Sequence, residues 1–495
     1  MKLPDLLQGV DVIAVQGDGD ADVASVVSDS RMAGPRFLFV AIAGTQMDGA
    51  AYIDAAVAKG ATVVVSEGDV APRPEVTNVH VRDARKAVAR IAANFYGNPA
   101  GKLSLAGVTG TSGKTTTTRM IESIFDAPVN GLVQPVGLIG TIEYRAGEER
   151  LVADRTTPDA VVLQQWLAKM VAAGVKHAVM EVSSHALALH RTYGVPFAAA
   201  VFTNLSRDHF DFHGGFEEYF AAKRILFTQI DGPSRAVVNA DDAYGRRLIG
   251  ELGDAVMTYG REGKVHPAAD LEVSPRGLHG RLHTPHGDVR VDSPLLGAPN
   301  LSNWMAAVGA ALVVGIGIEQ IETGIRNLRS VRGRFERVDS GTSGLTVIVD
   351  YAHKPDALEK LLRAVRDLAK GKRLIVVFGC GGDRDKGKRP QMGAIAAGLA
   401  DQVVLTSDNP RSEPPQAIID EIAAGIHSGA PVTQIADRRE AIARVIAGAP
   451  EESVVVIAGK GHEAYQVVRD QVIHFDDREE AELALLKRHE KQVTK

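Results

Sequence analysis

The last third of the chain repeats one pattern four times, and this repetition restricts the possible fold more than any other feature. Each repeat is an apolar, β-branched run that ends in a polar, often glycine-rich loop: LTVIVDYAH, RLIVVFGCGGDRD, QVVLTSDNPR and SVVVIAGKGHE. Helical patterns separate the four runs, as expected for parallel strands joined by helices. We therefore predict an α/β fold whose four loops share the carboxyl edge of one sheet, where open α/β sheets bind ligands.

The same alternation of strand and helix patterns extends over the whole chain of 495 residues, which is too long for one ordinary core. We predict three domains, at 1–97, 98–332 and 333–495, because a Gly-Asn-Pro-Ala-Gly run and the segment RSVRGRFERV look like boundaries. The middle region is predicted to contain one long helix, NLSNWMAAVGAALVVG, and four strands: LSLAGVTG, HAVMEVSS, AAAVFTNLS and SRAVVNADD.

Composition excludes several classes of protein. A net charge of -5 and a pI near 6.3 give no general attraction for nucleic acid. The single cysteine, Cys380, can form neither an intrachain disulfide nor a thiolate zinc site. The start of the chain lacks a signal-peptide pattern, and the longest apolar stretch, 306–318, is shorter than the roughly 20 residues of a membrane span. We expect a cytoplasmic monomer that binds neither nucleic acid nor membrane.

The segment GVTGTSGKTTTTRM, residues 107–120, follows an apolar strand pattern and begins a helix pattern. Glycines at 107, 110 and 113 allow backbone N–H groups to approach an anion, Lys114 supplies a positive charge, and Thr115 is suited to bind Mg²⁺. The loop departs from the strict P-loop, which has glycine where this chain has Val108. The segment predicts an ATP site, and a simple tight turn is the alternative. Phosphate binding alone would suit a motor, a kinase, a GTPase or a ligase.

Three residues further along the chain are candidates for metal binding and reactivity. Glu181 and His209 lie at or just after the ends of predicted strands, where both are expected to face Thr115 and hold a metal. The cluster DHFDFH is also compatible with zinc, but hard oxygen ligands around a triphosphate favour Mg²⁺. Lys223 lies among apolar helix neighbours, which lower the pKa of an amine and leave it reactive. The alternative interpretations are that His209 is an ordinary loop histidine and that Lys223 is a surface lysine.

Motifs along the whole chain, taken in order, resemble those of the Mur ligase family: SDSRMAGPRFLFVAIAG, GTSGKTTT, TTPD, EVSSHALALHR, FTNLSRDHFDFHG, AAKRILF, DYAHKPDALE, FGCGGDRDKGKRP, SDNPRSEPP and AGKGHEAYQ. The resemblance implies an N-terminal UDP-binding α/β domain, a central P-loop ATPase-like domain with a parallel sheet, and a C-terminal Rossmann-like domain. It also implies ATP-dependent addition of meso-diaminopimelate to the D-glutamyl γ-carboxylate of UDP-N-acetylmuramoyl-L-alanyl-D-glutamate, through an acyl phosphate, in peptidoglycan synthesis. Closure of the domains over this intermediate is expected.

The resemblance assigns residues to the two nucleotide substrates and to a metal. The expected ATP contacts are Gly110, Thr111, Ser112, Gly113, Lys114, Thr115, Thr116, Asn300, Arg334, Asp350 and His353. The expected contacts of the UDP-muramyl dipeptide are Ser28, Ser30, Thr45, Gln46, Met47, Arg155, Thr156, Thr157, Ser183 and Arg191. The expected Mg²⁺ ligands are Thr115, Glu181, His209 and Lys223, the last as a carbamate, and the expected catalytic residues are Lys114, Lys223, Glu181 and His209. The chain departs from the family pattern at Arg155, Leu189 and Pro299.

The amino acid is expected to bind in the C-terminal domain. The segment DNPR offers an anion beside a guanidinium at a strand end, which suits a zwitterion, although by itself it is also a common turn. The resemblance implies diaminopimelate contacts at Arg384, Asp408, Asn409, Pro410, Arg411, Gly459 and Glu463. Three alternatives stay open: a lysine-adding ligase of the same family, a folylpolyglutamate synthase-like ligase, and a nucleotide-binding regulator or motor without ligase activity.

Overall fold

The computed structural model describes residues 1–44, 48–68, 71–338, 344–427 and 429–493. The chain forms two compact units. The first comprises Met1–His266, His283–Val289 and Trp304–Gly324, and the second comprises Pro267–Leu282, Arg290–Asn303 and Ile325–Lys495. Among the helices of the described ranges, none combines the length and apolar character that crossing a membrane requires.

The N-terminal part of the first unit contains a five-stranded sheet with the order β1-β5-β4-β3-β2. Strand β1 pairs antiparallel with β5, and the other pairs are parallel. Helix α3 buries one face because alanine, valine and isoleucine recur on it at helical spacing. The elements are α1 Leu3–Leu6, β1 Val12–Gln16, β2 Ser25–Val27, β3 Phe37–Val40, α2 Ile53–Ala58, β4 Val63–Ser66, β5 Thr77–Val81 and α3 Ala84–Phe95.

The central part of the first unit contains an eight-stranded sheet with the order β13-β12-β11-β6-β10-β7-β8-β9. The pairs from β13 to β7 are parallel, and β8 and β9 extend the sheet antiparallel. The elements are β6 Ser104–Thr109, α4 Lys114–Phe125, β7 Val136–Ile139, β8 Glu143–Ala146, β9 Glu149–Val152, α5 Ala160–Ala172, β10 His177–Glu181, α6 Ser184–Ala188, β11 Ala199–Phe202, α7 Phe210–His213, α8 Phe216–Arg224, β12 Ala236–Asn239, α9 Ala243–Leu252 and β13 Met257–Tyr259.

The four predicted strands of this region are confirmed as β6, β10, β11 and β12. They are continuous apolar runs because a parallel sheet is covered on both faces. A smaller four-stranded sheet follows, with β16 paired to β14, β15 and β17. The elements that complete this part of the chain are β14 His266–Pro267, β15 Glu272–Ser274, β16 Gly277–His283, β17 Val289–Ser293, α10 Gly297–Val313 and α11 Ile318–Asn327. The predicted long helix is thus confirmed as α10.

The C-terminal part of the second unit contains a six-stranded sheet with the order β18-β19-β23-β20-β21-β22. Only β18, at one edge, is antiparallel to its neighbour, among the pairs of this sheet. The elements of this part of the chain are β18 Glu336–Val338, β19 Thr346–Asp350, α12 Pro355–Ala369, β20 Leu374–Phe378, α13 Lys388–Leu399, β21 Gln402–Leu405, α14 Pro415–Ala423, β22 Val432–Gln434, α15 Arg438–Gly448, β23 Val454–Ala458, β24 Tyr465–Val468, β25 Gln471–His474 and α16 Asp477–Val493.

The four repeated runs of the last third are confirmed as β19, β20, β21 and β23. Apolar clusters lie on both faces of their sheet, one formed with α12, α13 and α14 and the other with α15 and α16. Because the four strands are parallel, the loops after them all emerge at the same edge. The α/β class with parallel sheets is therefore confirmed, and the shared rim that the pattern predicts is present.

Candidate functional site

The glycine-rich loop connects β6 to the start of α4. Gly110 has a φ of 146° and Gly113 a φ of 84°, conformations that residues with a Cβ atom rarely adopt. The ammonium of Lys114 folds back over the loop and donates hydrogen bonds to the carbonyl oxygens of Gly110, at 2.8 Å, and Thr111, at 3.0 Å. A left-handed turn, a helix N-terminus and a lysine are thus held together, which is the arrangement that binds phosphate groups.

Two residues that the sequence analysis did not select hold this loop in place. Thr203 donates from Oγ1 to the Ser112 carbonyl at 2.7 Å, and Asn204 exchanges two hydrogen bonds with the Ser112 backbone, at 3.0 and 3.1 Å. The strand predicted over AAAVFTNLS ends early, at Phe202, and the side chains of the next two residues bind the loop. Gly110 leaves room for this packing, since a Cβ there would lie 1.8 Å from Thr203 Oγ1.

Gly107 has a different role from the one expected. It was grouped with the loop glycines that approach an anion, but it lies within β6. A Cβ at this position would lie 2.8 Å from the ring of Phe197, so the absence of a side chain allows an aromatic residue to pack against the sheet. The prediction for Gly107 is therefore wrong, because the strand continues two residues beyond it.

Glu181 ends β10 beside the loop, and its side chain is almost completely buried. Its Oε2 accepts hydrogen bonds from Thr115 Oγ1 and from Thr141 Oγ1, both at 3.0 Å, and its Oε1 accepts one from the Thr141 backbone N–H at 2.8 Å. The parallel neighbours β6 and β10 bring the carboxylate to the first turn of α4. Thr141 was missed because no motif marks a threonine 40 residues before its partner.

Lys223 is 1% exposed and lies near the end of α8. Its Nζ donates to the Gly110 carbonyl oxygen at 2.8 Å, the same oxygen that Lys114 contacts, and lies 4.4 Å from the centre of the Tyr219 ring. Burial, reinforced by the nearby Lys114 ammonium, holds the pKa of Lys223 well below its usual value. Lys223 is therefore a buried lysine whose charged form is disfavoured, and not a surface residue.

His209 does not lie at a strand end. It precedes α7 with a left-handed backbone (φ 55°), and its Nε2 lies 3.3 Å from Asp208 Oδ2. Its ring packs edge-on against His185, with the centroids 4.7 Å apart, and lies 6.3 Å from Tyr219. Tyr219 in turn shares a 3.2 Å hydrogen bond with Thr111 of the glycine-rich loop. His209 thus belongs to the surroundings of the loop, in an aromatic cluster that the sequence did not reveal.

The donor set around the loop fits a hard cation. Within the described ranges, no group of three or more histidine, cysteine, aspartate or glutamate side chains is arranged to hold a metal. The hydroxyl of Thr115 and the carboxylate of Glu181 nevertheless meet at 3.0 Å beside the glycine-rich turn. Hydroxyl and carboxylate oxygens are the protein ligands that accompany Mg²⁺ bound to a nucleotide triphosphate, which needs only one or two of them.

The residues expected to bind the acceptor form a connected network next to Glu181. Thr157 Oγ1 donates to the Glu181 carbonyl at 2.8 Å and accepts from the Ser183 backbone N–H at 3.0 Å. Thr156 and Thr141 share a hydrogen bond between their hydroxyls at 3.0 Å. Arg191 donates to the Thr157 carbonyl at 2.9 Å and pairs with Asp159, which also pairs with Arg155. The fold therefore brings five sequence-selected residues together: Arg155, Thr156, Thr157, Ser183 and Arg191.

The residues expected to hold the UDP end lie in the N-terminal sheet. Ser28 follows β2, and Ser30 begins a short 3₁₀ turn in which the Arg31 backbone N–H donates to the Asp29 carboxylate at 2.9 Å. Both serines are partly exposed. Thr45, Gln46 and Met47 lie outside the described residues.

Four further candidates for nucleotide binding lie in the second unit. The amide of Asn300 is buried and donates to the Leu296 carbonyl at 2.9 Å. Asp350 accepts from the backbone N–H groups of Phe335 and Ala352, at 2.7 and 2.8 Å, and burial raises its pKa. The guanidinium of Arg334 stacks 4.7 Å from the ring of Tyr351. Burial lowers the pKa of His353 to about 4, so its imidazole is neutral at neutral pH.

The segment 408–411 is held at the carboxyl edge of the C-terminal sheet by the hairpin of β24 and β25. Gln466 donates to the Asp408 carbonyl at 2.6 Å, and the Val467 backbone bonds to Asn409 Oδ1 and to the Arg411 N–H, at 2.9 and 3.0 Å. Arg411 has a φ of 51°, and its guanidinium donates to the Gly382 carbonyl at 2.8 Å. The segment is thus a fixed turn whose charged side chains have defined positions.

The remaining amino-acid candidates surround this turn. A Cβ on Gly459 would lie 2.7 Å from Asp408 Oδ2, and a Cβ on Gly381 would lie 3.0 Å from Arg411 Nη1 and 3.8 Å from Arg384 Cγ. Glu463 Oε2 accepts from Asn409 Nδ2 at 2.9 Å. The loops after β20, β21 and β23 therefore converge, as the repeated pattern predicts. Arg384, Asp408, Asn409, Pro410, Arg411, Gly459 and Glu463 all lie in these loops.

Three family models match the chain. The model of the Mur ligase family catalytic domain matches residues 22–96, that of the Mur ligase middle domain matches 108–311, and that of the Mur ligase glutamate ligase domain matches 333–461. The three matches together cover most of the sequence. The domain limits at residues 97 and 332 stay predictions.

Individual relatives agree with these matches. The UDP-N-acetylmuramoyl-L-alanyl-D-glutamate–2,6-diaminopimelate ligase of Gloeobacter violaceus is 49% identical over 475 residues, which is 95% of each chain. A solved structure of an enzyme with the same name is 32% identical, covers 99% of each chain and superposes with a TM-score of 0.70. A folylpolyglutamate synthase of Mycobacterium tuberculosis shares the fold, with 18% identity, a TM-score of 0.59, and 74% of this chain and 91% of its own covered.

Proposed function

This chain belongs to the Mur ligase family, and we propose that it adds meso-2,6-diaminopimelate to the D-glutamyl γ-carboxylate of UDP-N-acetylmuramoyl-L-alanyl-D-glutamate. ATP is the co-substrate, and the product is an intermediate of peptidoglycan synthesis. Both nucleotide substrates are cytoplasmic metabolites, so the proposed reaction takes place in the cytoplasm. The partners in the proposed reaction are small-molecule substrates only, and we propose that the protein acts as a monomer.

One observation carries the proposal: the glycine-rich turn, proposed to hold phosphate, and the network proposed to hold the acceptor carboxylate share Glu181. On one side its carboxylate contacts Thr115 of the turn, at 3.0 Å. On the other side its backbone carbonyl accepts from Thr157, at 2.8 Å, in the network that includes Arg191. An acid held by this network would lie near a γ-phosphate held by the turn, as phosphoryl transfer to the acid requires.

The chemistry follows from the low reactivity of a carboxylate toward an amine. In the first step an oxygen of the γ-carboxylate attacks the γ-phosphorus of ATP, the bond to the β-phosphate oxygen breaks, and ADP leaves. Lys114 neutralises the charge that develops on the phosphoryl oxygens, and the backbone N–H groups of the turn hold the phosphates. The resulting acyl phosphate is electrophilic at carbon, so the acid is ready for attack by an amine.

In the second step the neutral amine of the amino acid attacks the acyl carbon through a tetrahedral intermediate. The carbon–oxygen bond to the phosphate then breaks, inorganic phosphate leaves, and the amine loses a proton. When bound, Mg²⁺ neutralises phosphate charge, and Thr115, Glu181, His209 and a carbamate on Lys223 are the residues proposed to hold it. The low pKa of Lys223 favours carbamate formation because only a neutral amine combines with carbon dioxide.

The proposed amino-acid site is the fixed turn 408–411 with its neighbours. Diaminopimelate differs from lysine by a second carboxylate next to its distal ammonium. Arg411 and Arg384 are the cations proposed to receive that carboxylate, and Asp408 and Glu463 are the anions proposed to receive the ammonium. Lysine lacks the group that the arginines would bind, so it is the weaker candidate substrate.

The proposal is tested by measuring ligation with purified protein, ATP and Mg²⁺. UDP-N-acetylmuramoyl-L-alanyl-D-glutamate is supplied with either meso-diaminopimelate or L-lysine, and the UDP-tripeptide is detected by mass spectrometry. We expect ATP consumption that depends on both the acceptor and diaminopimelate. Faster ligation of lysine would identify the lysine-adding alternative, and acceptor-independent ATP turnover would contradict a ligase. Glutamylation of a folate, in a parallel reaction with a folate and L-glutamate, would identify the synthase-like alternative.

Replacing Lys223 with alanine tests the proposed carbamate. We expect kcat to fall about 100-fold or more, because an anion that organises the metal is lost. Acetate or another short carboxylate should restore part of the activity by occupying the vacated space. Protein labelled with ¹³C-bicarbonate should show a carbamate carbon signal that Lys223→Ala lacks. Full activity of the variant, or no such signal in the active wild type, would contradict the carbamate.

Replacing Arg411 with asparagine tests amino-acid recognition, since asparagine tolerates the left-handed backbone that Arg411 adopts. Losing a charge-assisted contact should cost about 2–3 kcal/mol, which lowers kcat/KM for diaminopimelate roughly 30- to 150-fold. The KM for ATP should stay within about twofold of wild type, because this contact is not part of the phosphate-binding turn. Arg469→Asn, at an exposed position in the adjacent hairpin with a similar left-handed backbone (φ 53°), is the matched control. Equal losses for both substrates would refute the assigned role of Arg411.

A further inference from the structure

Lys460 is a buried cation at the carboxyl edge of the C-terminal sheet. It lies two residues after the end of β23, and its side chain is 0% exposed. A buried ammonium is costly unless polar groups surround it, so the groups that Lys460 contacts indicate why it is there.

The ammonium of Lys460 contacts two of the proposed amino-acid ligands. Its Nζ lies 3.2 Å from Asn409 Oδ1 and 3.4 Å from Glu463 Oε2. Asn409 and Glu463 are also joined directly, with Asn409 Nδ2 donating to Glu463 Oε2 at 2.9 Å. The three side chains therefore form a closed triangle in which Lys460 holds both other members.

These contacts fix which way the amide of Asn409 points. Its Oδ1 faces two donors, the Lys460 ammonium and the Val467 backbone N–H, so its Nδ2 must face Glu463. The Glu463 carboxylate in turn is held at one oxygen by two donors. Without the ammonium, Asn409 would keep one donor at Oδ1, and Glu463 would lose the positive charge 3.4 Å from its Oε2.

We infer that Lys460 is a positioning residue that orients Asn409 and Glu463 to receive the amino-acid substrate and sets the charge of their site. The inference rests on the proposed function, because Asn409 and Glu463 are proposed contacts of that substrate. Lys460 acts through these two side chains and takes no part in the transfer of phosphate or the attack of the amine.

The charge role of Lys460 makes a prediction about substrate choice. At neutral pH meso-diaminopimelate carries two ammonium and two carboxylate groups and has no net charge, whereas L-lysine has a net charge of one. Removing a cation makes the site more negative, which favours the cationic substrate over the neutral one. A merely structural role would lower the use of both amino acids together and would not change their ratio.

The test compares Lys460→Met, which is neutral and of similar length, with wild type. We expect the KM for meso-diaminopimelate to rise about 10- to 100-fold, the range for losing a residue that orients ligating groups. The KM values for ATP and for the UDP-dipeptide should stay within about twofold. The ratio of kcat/KM for diaminopimelate to that for lysine should fall. An unchanged KM for diaminopimelate, or an equal rise in all three KM values, would overturn the inference.

Two further variants separate positioning from folding. Arg488→Met removes another buried cation of the same sheet domain, one that donates to the carbonyls of Ile446 and Ala449 at 2.7 Å each. This variant should lower the midpoint temperature of unfolding without changing the KM for diaminopimelate or the preference for diaminopimelate over lysine. Lys460→Gln retains an N–H donor but no charge, so we expect a smaller rise in KM with the same shift toward lysine. If Lys460→Met does not fold, the inference is tested with Lys460→Gln alone. An unchanged preference for diaminopimelate over lysine in that variant overturns the inference.

A double-mutant cycle with Glu463→Gln tests whether Lys460 acts through Glu463. If it does, the double variant should lose less than the product of the two single losses in kcat/KM for diaminopimelate. Fully multiplicative losses would contradict the coupling. Wild-type protein that ligates neither amino acid overturns the proposed function itself, whereas active wild type with an unaffected Lys460→Met overturns only the role of Lys460.

Discussion

Lys114→Ala is expected to lower the kcat of ligation by about 1,000-fold or more, the largest effect on activity that the account predicts. The ammonium lies over the glycine-rich turn, bonded to the carbonyls of Gly110 and Thr111, where the γ-phosphate would be held. Its charge acts on oxygens that become more negative as the phosphoryl group moves, so the loss falls on kcat more than on KM. Single-turnover formation of ADP in the presence of the acceptor measures this step directly.

The loss of Lys114 has a second consequence that can be checked. Its positive charge helps to hold the pKa of Lys223 down, so the pKa of Lys223 should rise in Lys114→Ala and carbamate formation should weaken. Lys102→Ala, at an exposed position just before β6, is the matched control and should keep wild-type activity. Retention of full turnover by Lys114→Ala, with the fold intact by circular dichroism, would contradict the assignment of the loop.

Arg438→Met is expected to lower the free energy of unfolding of the C-terminal sheet by about 3–5 kcal/mol, the cost of breaking a buried ion pair by removing one partner. The side chains of Arg438 and Asp477 are both 0% exposed, with the Arg438 Nε 2.7 Å from Asp477 Oδ1. The guanidinium also donates to the carbonyls of Ser407, at 3.2 Å, and Ala458, at 2.9 Å. Hydrogen exchange of the amides in β21 and β23, followed by mass spectrometry, measures this stability.

The controls for Arg438→Met are variants of the neighbouring Arg439 and of its ion-pair partner Asp477. Arg439→Met removes a more exposed arginine that pairs with Glu480, and it should cost no more than about 1 kcal/mol. The double variant Arg438→Met with Asp477→Leu replaces both charges with apolar side chains and should regain much of the lost stability. Equal protection of β21 and β23 in Arg438→Met and wild type would show that the pair does not hold these strand ends.

The parts of the fold that the sequence predicts are those encoded locally. The central strands of both large sheets are continuous apolar runs, because β6, β10, β20 and β23 are covered on both faces. Edge strands such as β9 and β22 are exposed along their length and carry no such pattern, so they were not predicted. The side chains of Thr203 and Asn204, just after β11, contact a loop more than 90 residues away, which no local pattern contains.

The site divides in the same way. Lys114, Glu181 and the turn 408–411 are recognisable because their motifs are short and continuous in the chain. Thr141 and Lys460 acquire their roles through partners 40 and 51 residues away in the chain. Arg438 acquires its role through backbone carbonyls just after β21 and at the end of β23. His209 is predicted at a strand end, but it precedes α7, beside the aromatic cluster around Tyr219, and its metal-binding role stays a prediction. Residues that support others through long-range contacts therefore become visible only in the folded chain.

The central claim is that the acceptor carboxylate is phosphorylated before the amine attacks. It is tested most directly by labelling both oxygens of the D-glutamyl γ-carboxylate with ¹⁸O and analysing the phosphate released during ligation of meso-diaminopimelate. An acyl phosphate transfers one carboxylate oxygen to phosphorus, so each molecule of inorganic phosphate should carry one ¹⁸O atom. Formation of the amide product together with inorganic phosphate that carries no ¹⁸O would contradict the account.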